Sequence, residues 1–184
     1  MTSRPTQRGM PTLYVDFLFL ALLAVILLIN PPKSEDSAMP PGTMSVAIAW
    51  PEGDSDVDLW IQGPNNGRPV GYSHRSGRLF NLLRDDLGNA GDAMPLNYEN
   101  AYSRGLPPGE YIINLHCFDC ETTMPVSVEV RAGKYGARQK LLFGEVIDVH
   151  PDQERTAVRF RLDANGNVVP GSVNRIFQPL RSAK

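Results

Sequence analysis

A single carboxylate lies at the start of the most apolar stretch of the chain. Asp16 is followed directly by thirteen residues, Phe17 to Ile29, whose side chains contain no polar atom. A charged side chain at the centre of a bilayer costs about 2.5–3.5 kcal/mol on insertion scales, and an ionisable residue there usually belongs to an ion pathway. Desolvation favours the neutral form of a carboxyl group, so such a residue can take up and release a proton. Two interpretations follow: Asp16 lies at the headgroup level without a role, or it carries cations.

A second group of acids lies in the polar part of the chain. Asp54, Asp56 and Asp58 occupy every second position, and Asp85 and Asp86 follow in a later loop. Alternate side chains of a strand share a face, so the first three carboxylates are expected to lie together. Carboxylate oxygens are the ligands that Ca²⁺ prefers. A solvated strand edge with turn-forming aspartates is the competing and commoner interpretation.

Cys117 and Cys120 are the two cysteines of the chain. Residues three apart in an extended strand are separated by about 10 Å, whereas a disulfide needs Cα atoms closer than about 7 Å. A disulfide therefore requires a turn at Phe118 and Asp119, and such a bond persists outside the cytosol. A redox site would need a helix after the first cysteine, and a zinc site with His116 lacks a clear fourth ligand.

No pattern indicates an enzyme or a nucleic-acid-binding protein. The three histidines are isolated in sequence, and no nucleophile motif or phosphate-binding loop is present. The chain has 18 basic and 20 acidic residues, so it offers no strong positive field to a phosphate backbone. Three aromatic residues are predicted to form part of the core or, alternatively, a sugar-binding surface: Trp50, Trp60 and Tyr72.

The apolar stretch predicts a transmembrane helix at residues 13–30. Seventeen residues up to Ile29 form about 25 Å of helix, close to the thickness of a hydrocarbon core, and two prolines follow. Residues 1–12 contain two arginines and no acid, whereas residues 31–44 contain one lysine and two acids. The positive-inside rule then predicts a cytoplasmic tail at 1–12. A cleaved signal peptide is the alternative, although the apolar stretch is long for one and no small-residue cleavage site follows directly.

The sequence from Pro11 through Asp16 to Leu23, with Ile29-Asn-Pro-Pro after it, resembles the ExbD/TolR family, which is related more distantly to MotB. The resemblance covers about residues 4–32. It implies a bacterial inner-membrane protein with a periplasmic C-terminal domain, present as a homodimer inside a pentamer of an ExbB/TolQ/MotA-like partner. Flow of H⁺ or Na⁺ past Asp16 would then drive a motor. Four residues are expected to pack near the ion site: Tyr14, Phe19, Leu20 and Leu23.

After a proline-rich linker at 31–44, the hydrophobic period changes to two. Alternating apolar residues recur at Val46, Val57, Tyr111, Val126 and Val158, and each marks a half-buried strand. Turn-forming sequences separate these strands, including an Asn-Gly pair at 165–166 that predicts a hairpin. We therefore expect an antiparallel β-sandwich of seven or eight strands at residues 45–172, followed by a tail at 173–184.

The sequence Asp56-Val-Asp-Leu-Trp60, the acidic pair at 85–86 and Pro108-Gly-Glu-Tyr111 resemble the YfaP-like extracytoplasmic β-sandwich domains. This resemblance covers about residues 46–131 and implies the fold without a settled activity. No OmpA-like peptidoglycan-binding pattern is evident, so the envelope target of a motor stays open. The second functional hypothesis is a membrane-anchored or secreted binding module for carbohydrate or Ca²⁺ with an inert anchor.

Overall fold

The structure is a computed structural model that describes residues 10–29, 43–64, 67–88, 96–133 and 138–181. It divides the chain into two compact units, Met1–Ala38 and Met39–Lys184. The predicted cytoplasmic tail up to residue 9, most of the predicted linker (31–42) and residues 182–184 of the predicted C-terminal tail lie outside the described residues.

The described residues of the first unit form one helix, α1, at Met10–Ile29. Pro11 lies in its first turn, where a missing N–H group is tolerated. Within α1 the side chains of residues 14–26 are described, and all of them are exposed. In the described part of the chain, no helix has both the length and the apolarity needed to cross a bilayer. The predicted helix is therefore observed, and its transmembrane placement stays a prediction.

The described residues of the second unit form eight strands. Their bounds are β1 Met44–Trp50, β2 Asp56–Gln62, β3 Phe80–Arg84, β4 Asn97–Ser103, β5 Gly109–Asp119, β6 Met124–Ala132, β7 Lys140–Val149 and β8 Glu154–Leu162. They make a five-stranded sheet of order β3-β4-β1-β6-β7 and a three-stranded sheet of order β2-β5-β8. Every ladder is antiparallel, as the alternating pattern predicts. Met44, assigned to the linker from sequence, is the fully buried first residue of β1.

One apolar core lies between the two sheets. β1 contributes Val46 and Ile48 from the larger sheet, and β5 contributes Tyr111, Ile113 and Leu115 from the smaller sheet. These are the positions that alternation in the sequence marks as inward-facing. The packed faces of both sheets therefore follow the period of two, as expected when one face of each sheet is buried.

The three-stranded sheet is covered on its outer face as well. All seven residues of β2 are buried, and Trp60 on the outer face packs with Ile112 and Leu180. Leu180 belongs to the stretch predicted as a tail, whose described residues run to 181. Asn174 of this stretch forms an isolated bridge with Arg159 of β8. This stretch lies against the sheet and contributes a residue that is 1% exposed.

Cys117 and Cys120 are joined by a disulfide, with their Cα atoms 5.7 Å apart. A register shift explains how a strand accommodates this short separation. Asp56 pairs with Asp119 whereas Val57 pairs with Cys117, so Phe118 is the extra residue of a bulge in β5. The required change of direction is therefore a β-bulge at the end of the strand.

Candidate metal centre

Three carboxylates from three separate elements converge at the edge of β2. Asp58 lies on β2, Asp85 follows β3 directly, and Glu99 lies in the middle of β4. One oxygen of each carboxylate lies within 4.8 Å of the other two. The three residues could together hold one metal ion, and hard cations such as Ca²⁺ favour ligands of this kind.

Glu99 reaches the cluster from the inner face of the larger sheet. It pairs with Ile48 of β1 in a strand whose inward residues are buried, and only 1% of Glu99 is exposed. Its Oε2 accepts a hydrogen bond from the N–H of Leu59 at 2.8 Å, and its Oε1 accepts a longer one from the N–H of Asp86 at 3.4 Å. Burial raises the pKa of Glu99 well above its usual range, against the lowering effect of the Leu59 N–H group.

Asp58 is fixed by a histidine on the neighbouring strand. Its Oδ2 lies 3.0 Å from Nδ1 of His116, and both side chains are buried. Nε2 of His116 accepts a hydrogen bond from the guanidinium of Arg181. Because a guanidinium can only donate, Nδ1 is left to donate its hydrogen to Asp58. The last residues of the described chain thus help to orient a carboxylate of the cluster.

The turn after β3 positions Asp85 beside the cluster. Its neighbour Asp86 is buried and accepts hydrogen bonds from the Arg84 guanidinium, from the N–H of Tyr98 at 3.0 Å and from the N–H of Gly88 at 3.2 Å. Gly88 has φ of +71°, and a Cβ atom there would lie 2.8 Å from the carbonyl oxygen of Asp54. Glycine is therefore required where this turn meets the loop before β2.

Asp56 lies on the same face of β2 as Asp58, and 8% of the residue is exposed. Its Oδ1 is buried without a hydrogen-bond partner. Burial raises the pKa of Asp56 to about 7, and neighbouring carboxylates add to this effect: Asp58, Asp85, Asp119 and Asp86. Asp56 therefore interacts electrostatically with the acidic cluster, although its oxygens lie outside the group of three.

Of the three residues predicted from sequence to form a metal site, Asp54, Asp56 and Asp58, only Asp58 belongs to this group of carboxylates, and the metal site itself stays a prediction. Asp56 is buried near the cluster, whereas Asp54 is exposed in the loop before β2. Glu99 was not identified from sequence, because β4 contains few apolar residues. The informative signal was an acid on the same side of the strand as Ala101, whose side chain is buried in the core.

The remaining sequence-predicted residues lie elsewhere. Asp16 and the four residues expected to pack near it are exposed on α1, in the first compact unit: Tyr14, Phe19, Leu20 and Leu23. Of the aromatic residues considered for sugar binding, Trp50 and Trp60 are each 5% exposed, whereas Tyr72 is 42% exposed and packs edge-on against Trp60. The two tryptophans therefore serve the core and the covered outer face of the smaller sheet.

Comparison with known proteins gives no relative for this chain: no family model matches it, and no curated protein or solved structure is significantly similar to it.

Proposed function

We propose that the chain is a single-pass subunit of an ion-driven motor in a bacterial inner membrane. In this proposal the N-terminus is cytoplasmic, the β-sandwich is periplasmic, and Asp16 carries H⁺ or Na⁺. Two copies of α1 lie within a pentamer of a multi-pass ExbB/TolQ/MotA-like partner. The coupling of ion flow to movement makes this a mechanical role and not an enzymatic one.

The observation that carries this proposal is the distribution of side chains on α1. From residue 14 to residue 26 every side chain is exposed, and Asp16 is the only charged one among them. A helix that is apolar on all sides needs apolar surroundings, either lipid or other helices. A carboxylate in such surroundings is expected to have a role in ion movement. One elementary charge that moves through 100 mV releases about 2.3 kcal/mol, so a few ions can power a mechanical step.

The experiment compares Asp16→Asn with Asp16→Glu in native membranes that contain the partner. Asp16→Asn should abolish ion-dependent activity and leave insertion and co-purification of the partner unchanged, because it removes only the titratable group. Asp16→Glu should retain part of the activity. The proposal fails if Asp16→Asn is fully active, or if the detergent-solubilised chain is a monomer without a partner helix bundle.

The second candidate function is an anchored binding module whose helix has no role beyond attachment. The convergence of Asp58, Asp85 and Glu99 favours this candidate, because buried charges are normally paired or coordinate a metal. The two candidates differ in their response to Asp16→Asn, which should leave a binding module fully functional. A bound carbohydrate or cation is the ligand expected for such a module.

A further inference from the structure

We propose that the β-sandwich binds one Ca²⁺ ion through the carboxylates of Asp58, Asp85 and Glu99. The inference deepens the second candidate function, on which it rests, by naming its ligand, and it is independent of the motor. It retains Asp58 of the sequence-derived set and replaces Asp54 and Asp56 with Asp85 and Glu99, which the fold brings beside Asp58.

The separation of the three carboxylates allows one calcium ion to contact all of them. Ca²⁺ holds its oxygen ligands at about 2.3–2.6 Å, so two ligands on opposite sides of the ion lie about 4.6–5.2 Å apart. The three oxygens here lie within 4.8 Å of one another. Mg²⁺ holds its ligands at about 2.0–2.1 Å in strict octahedral geometry and keeps several waters, so a cluster of buried carboxylates suits it less well.

An independent observation at Asp56 also points to a cation. Asp56 is more than nine-tenths buried, its Oδ1 has no hydrogen-bond partner, and its carboxyl group lies close enough to the carboxylates of Asp58 and Asp85 to interact with their charges. Oδ1 of Asp85 is likewise buried without a partner. A buried carboxylate oxygen without a donor is costly, and a bound cation would contact Asp85 directly and offset the negative charge beside Asp56.

Among the described residues, basic side chains balance the charges of the cluster only in part. The Arg84 guanidinium donates to Asp86 at 2.8 Å, whereas Arg75 lies 3.9 Å from Asp85 and has a side chain that is 48% exposed. Within the described residues, neither Asp56 nor Glu99 forms an ion pair. Buried carboxylates are normally paired with a basic group or bound to a metal. A divalent ion would neutralise two of the negative charges at once.

A calcium ion at this position would join the two sheets. Asp58 belongs to the edge strand of the smaller sheet. Glu99 belongs to the larger sheet, and Asp85 lies in the turn that follows β3 of that sheet. The ion would therefore hold the turn after β3 against β2. Affinities of extracellular calcium modules lie around 10⁻⁴–10⁻³ M, and sites with more carboxylates bind more tightly.

The test measures Ca²⁺ binding by the full chain in detergent, by titration calorimetry after treatment with a chelator. The native chain should bind one Ca²⁺ per chain. Asp85→Asn should weaken binding at least tenfold, because it removes one charged ligand oxygen. Asp54→Asn removes an equal charge from an exposed position nearby, and it should bind as tightly as the native chain.

Three results would overturn the proposal: no saturable binding of Ca²⁺, binding unaffected by Asp85→Asn, or equally tight binding of Mg²⁺. If Asp85→Asn does not give a native near-ultraviolet circular dichroism spectrum, Glu99→Gln provides the same comparison at a second ligand. Failure of calcium binding leaves a carbohydrate-binding module intact, and glycan binding by the chelator-treated chain measures that function separately.

Discussion

The carboxylate of Glu99 accepts a hydrogen bond from the backbone N–H of Leu59 at 2.8 Å, and this bond crosses from one sheet of the sandwich to the other. Leu59 lies on β2, which is an edge strand of the smaller sheet and therefore has backbone groups without a strand partner. A side chain of the larger sheet thus supplies the acceptor that a ninth strand would otherwise supply. The same carboxylate belongs to the candidate metal centre, so the edge of β2 and the cluster depend on one residue.

Glu99→Leu should lower the free energy of unfolding of the metal-free chain by about 1–3 kcal/mol, because it leaves the buried N–H of Leu59 unpaired. Urea unfolding in the presence of a chelator measures the change. Glu129→Leu is the matched control, because Glu129 is paired with Arg131 and both side chains are close to half exposed. An exposed pair of this kind contributes about 0–1 kcal/mol. Equal losses of unfolding free energy in the two variants would mean that the hydrogen bond to the Leu59 N–H does not stabilise the fold.

The stability of the metal-free chain should depend on pH through Asp56. The pKa of its carboxyl is raised to about 7 in the folded chain, from a usual value of 3.8. Between these two values the folded state binds more protons than the unfolded state, so stability decreases as the pH rises. The decrease should be complete above about pH 7, where the carboxylate is charged in both states.

Asp56→Asn cannot ionise, so its unfolding free energy should vary less between pH 5 and pH 8 than that of the native chain. It should also be the more stable of the two chains at pH 8. Asp54→Asn, at an exposed position, should keep the native pH dependence. Urea unfolding at both pH values, with a chelator present, tests this expectation, and an unchanged slope in Asp56→Asn would contradict it.

The disulfide between Cys117 and Cys120 should stabilise the chain by restricting the unfolded state, and because the loop that it closes is very short, the stabilisation should be only about 2 kcal/mol. A reducing agent should therefore lower the midpoint of urea unfolding of the native chain. The double variant Cys117→Ala, Cys120→Ala should show the lower midpoint with or without the reducing agent. If reduction leaves the native midpoint unchanged, the bond is not formed in the folded chain.

Strands whose apolar residues alternate could be predicted from sequence, and strands whose inner faces are polar could not. Val57, Leu59 and Ile61 alternate cleanly along β2, whereas β4 presents Asn97 and Glu99 to the interior. Hydrophobic periodicity does not predict that such polar residues are buried, because their burial depends on partners from other strands.

The candidate metal centre illustrates the same limit. Asp58 stood out from the spacing of acids along one strand, but its neighbours come from residues 27 and 41 positions later in the chain. The strand register that pairs Glu99 with Ile48 places the Glu99 side chain beside β2. The turn that requires Gly88 places Asp85 beside the same strand. These are tertiary relationships, which local sequence patterns do not specify. The disulfide depended likewise on a bulge, which a one-residue shift in pairing creates.

The stretch at 173–181 was expected to be a tail from sequence, and its contacts predict a structural role. Leu180 is 1% exposed and packs with Trp60 and Ile112 on the outer face of the smaller sheet. The backbone N–H of Leu180 also donates to Glu154 at 2.7 Å. A buried leucine of this kind contributes several kcal/mol through the apolar surface that it removes from water and the cavity that its loss creates.

Leu180→Ala should therefore lower the free energy of unfolding by about 2–5 kcal/mol. Phe177→Ala removes a larger side chain from the same stretch, but Phe177 is 53% exposed, so its cost should stay within about 0.5 kcal/mol. Urea unfolding of both variants in the oxidised state makes the comparison. If the two variants lose the same free energy of unfolding, the contacts of Leu180 do not stabilise the domain. If only Leu180→Ala is destabilised, the chain up to residue 181 is part of the domain, and Arg181 can orient His116 beside the metal centre.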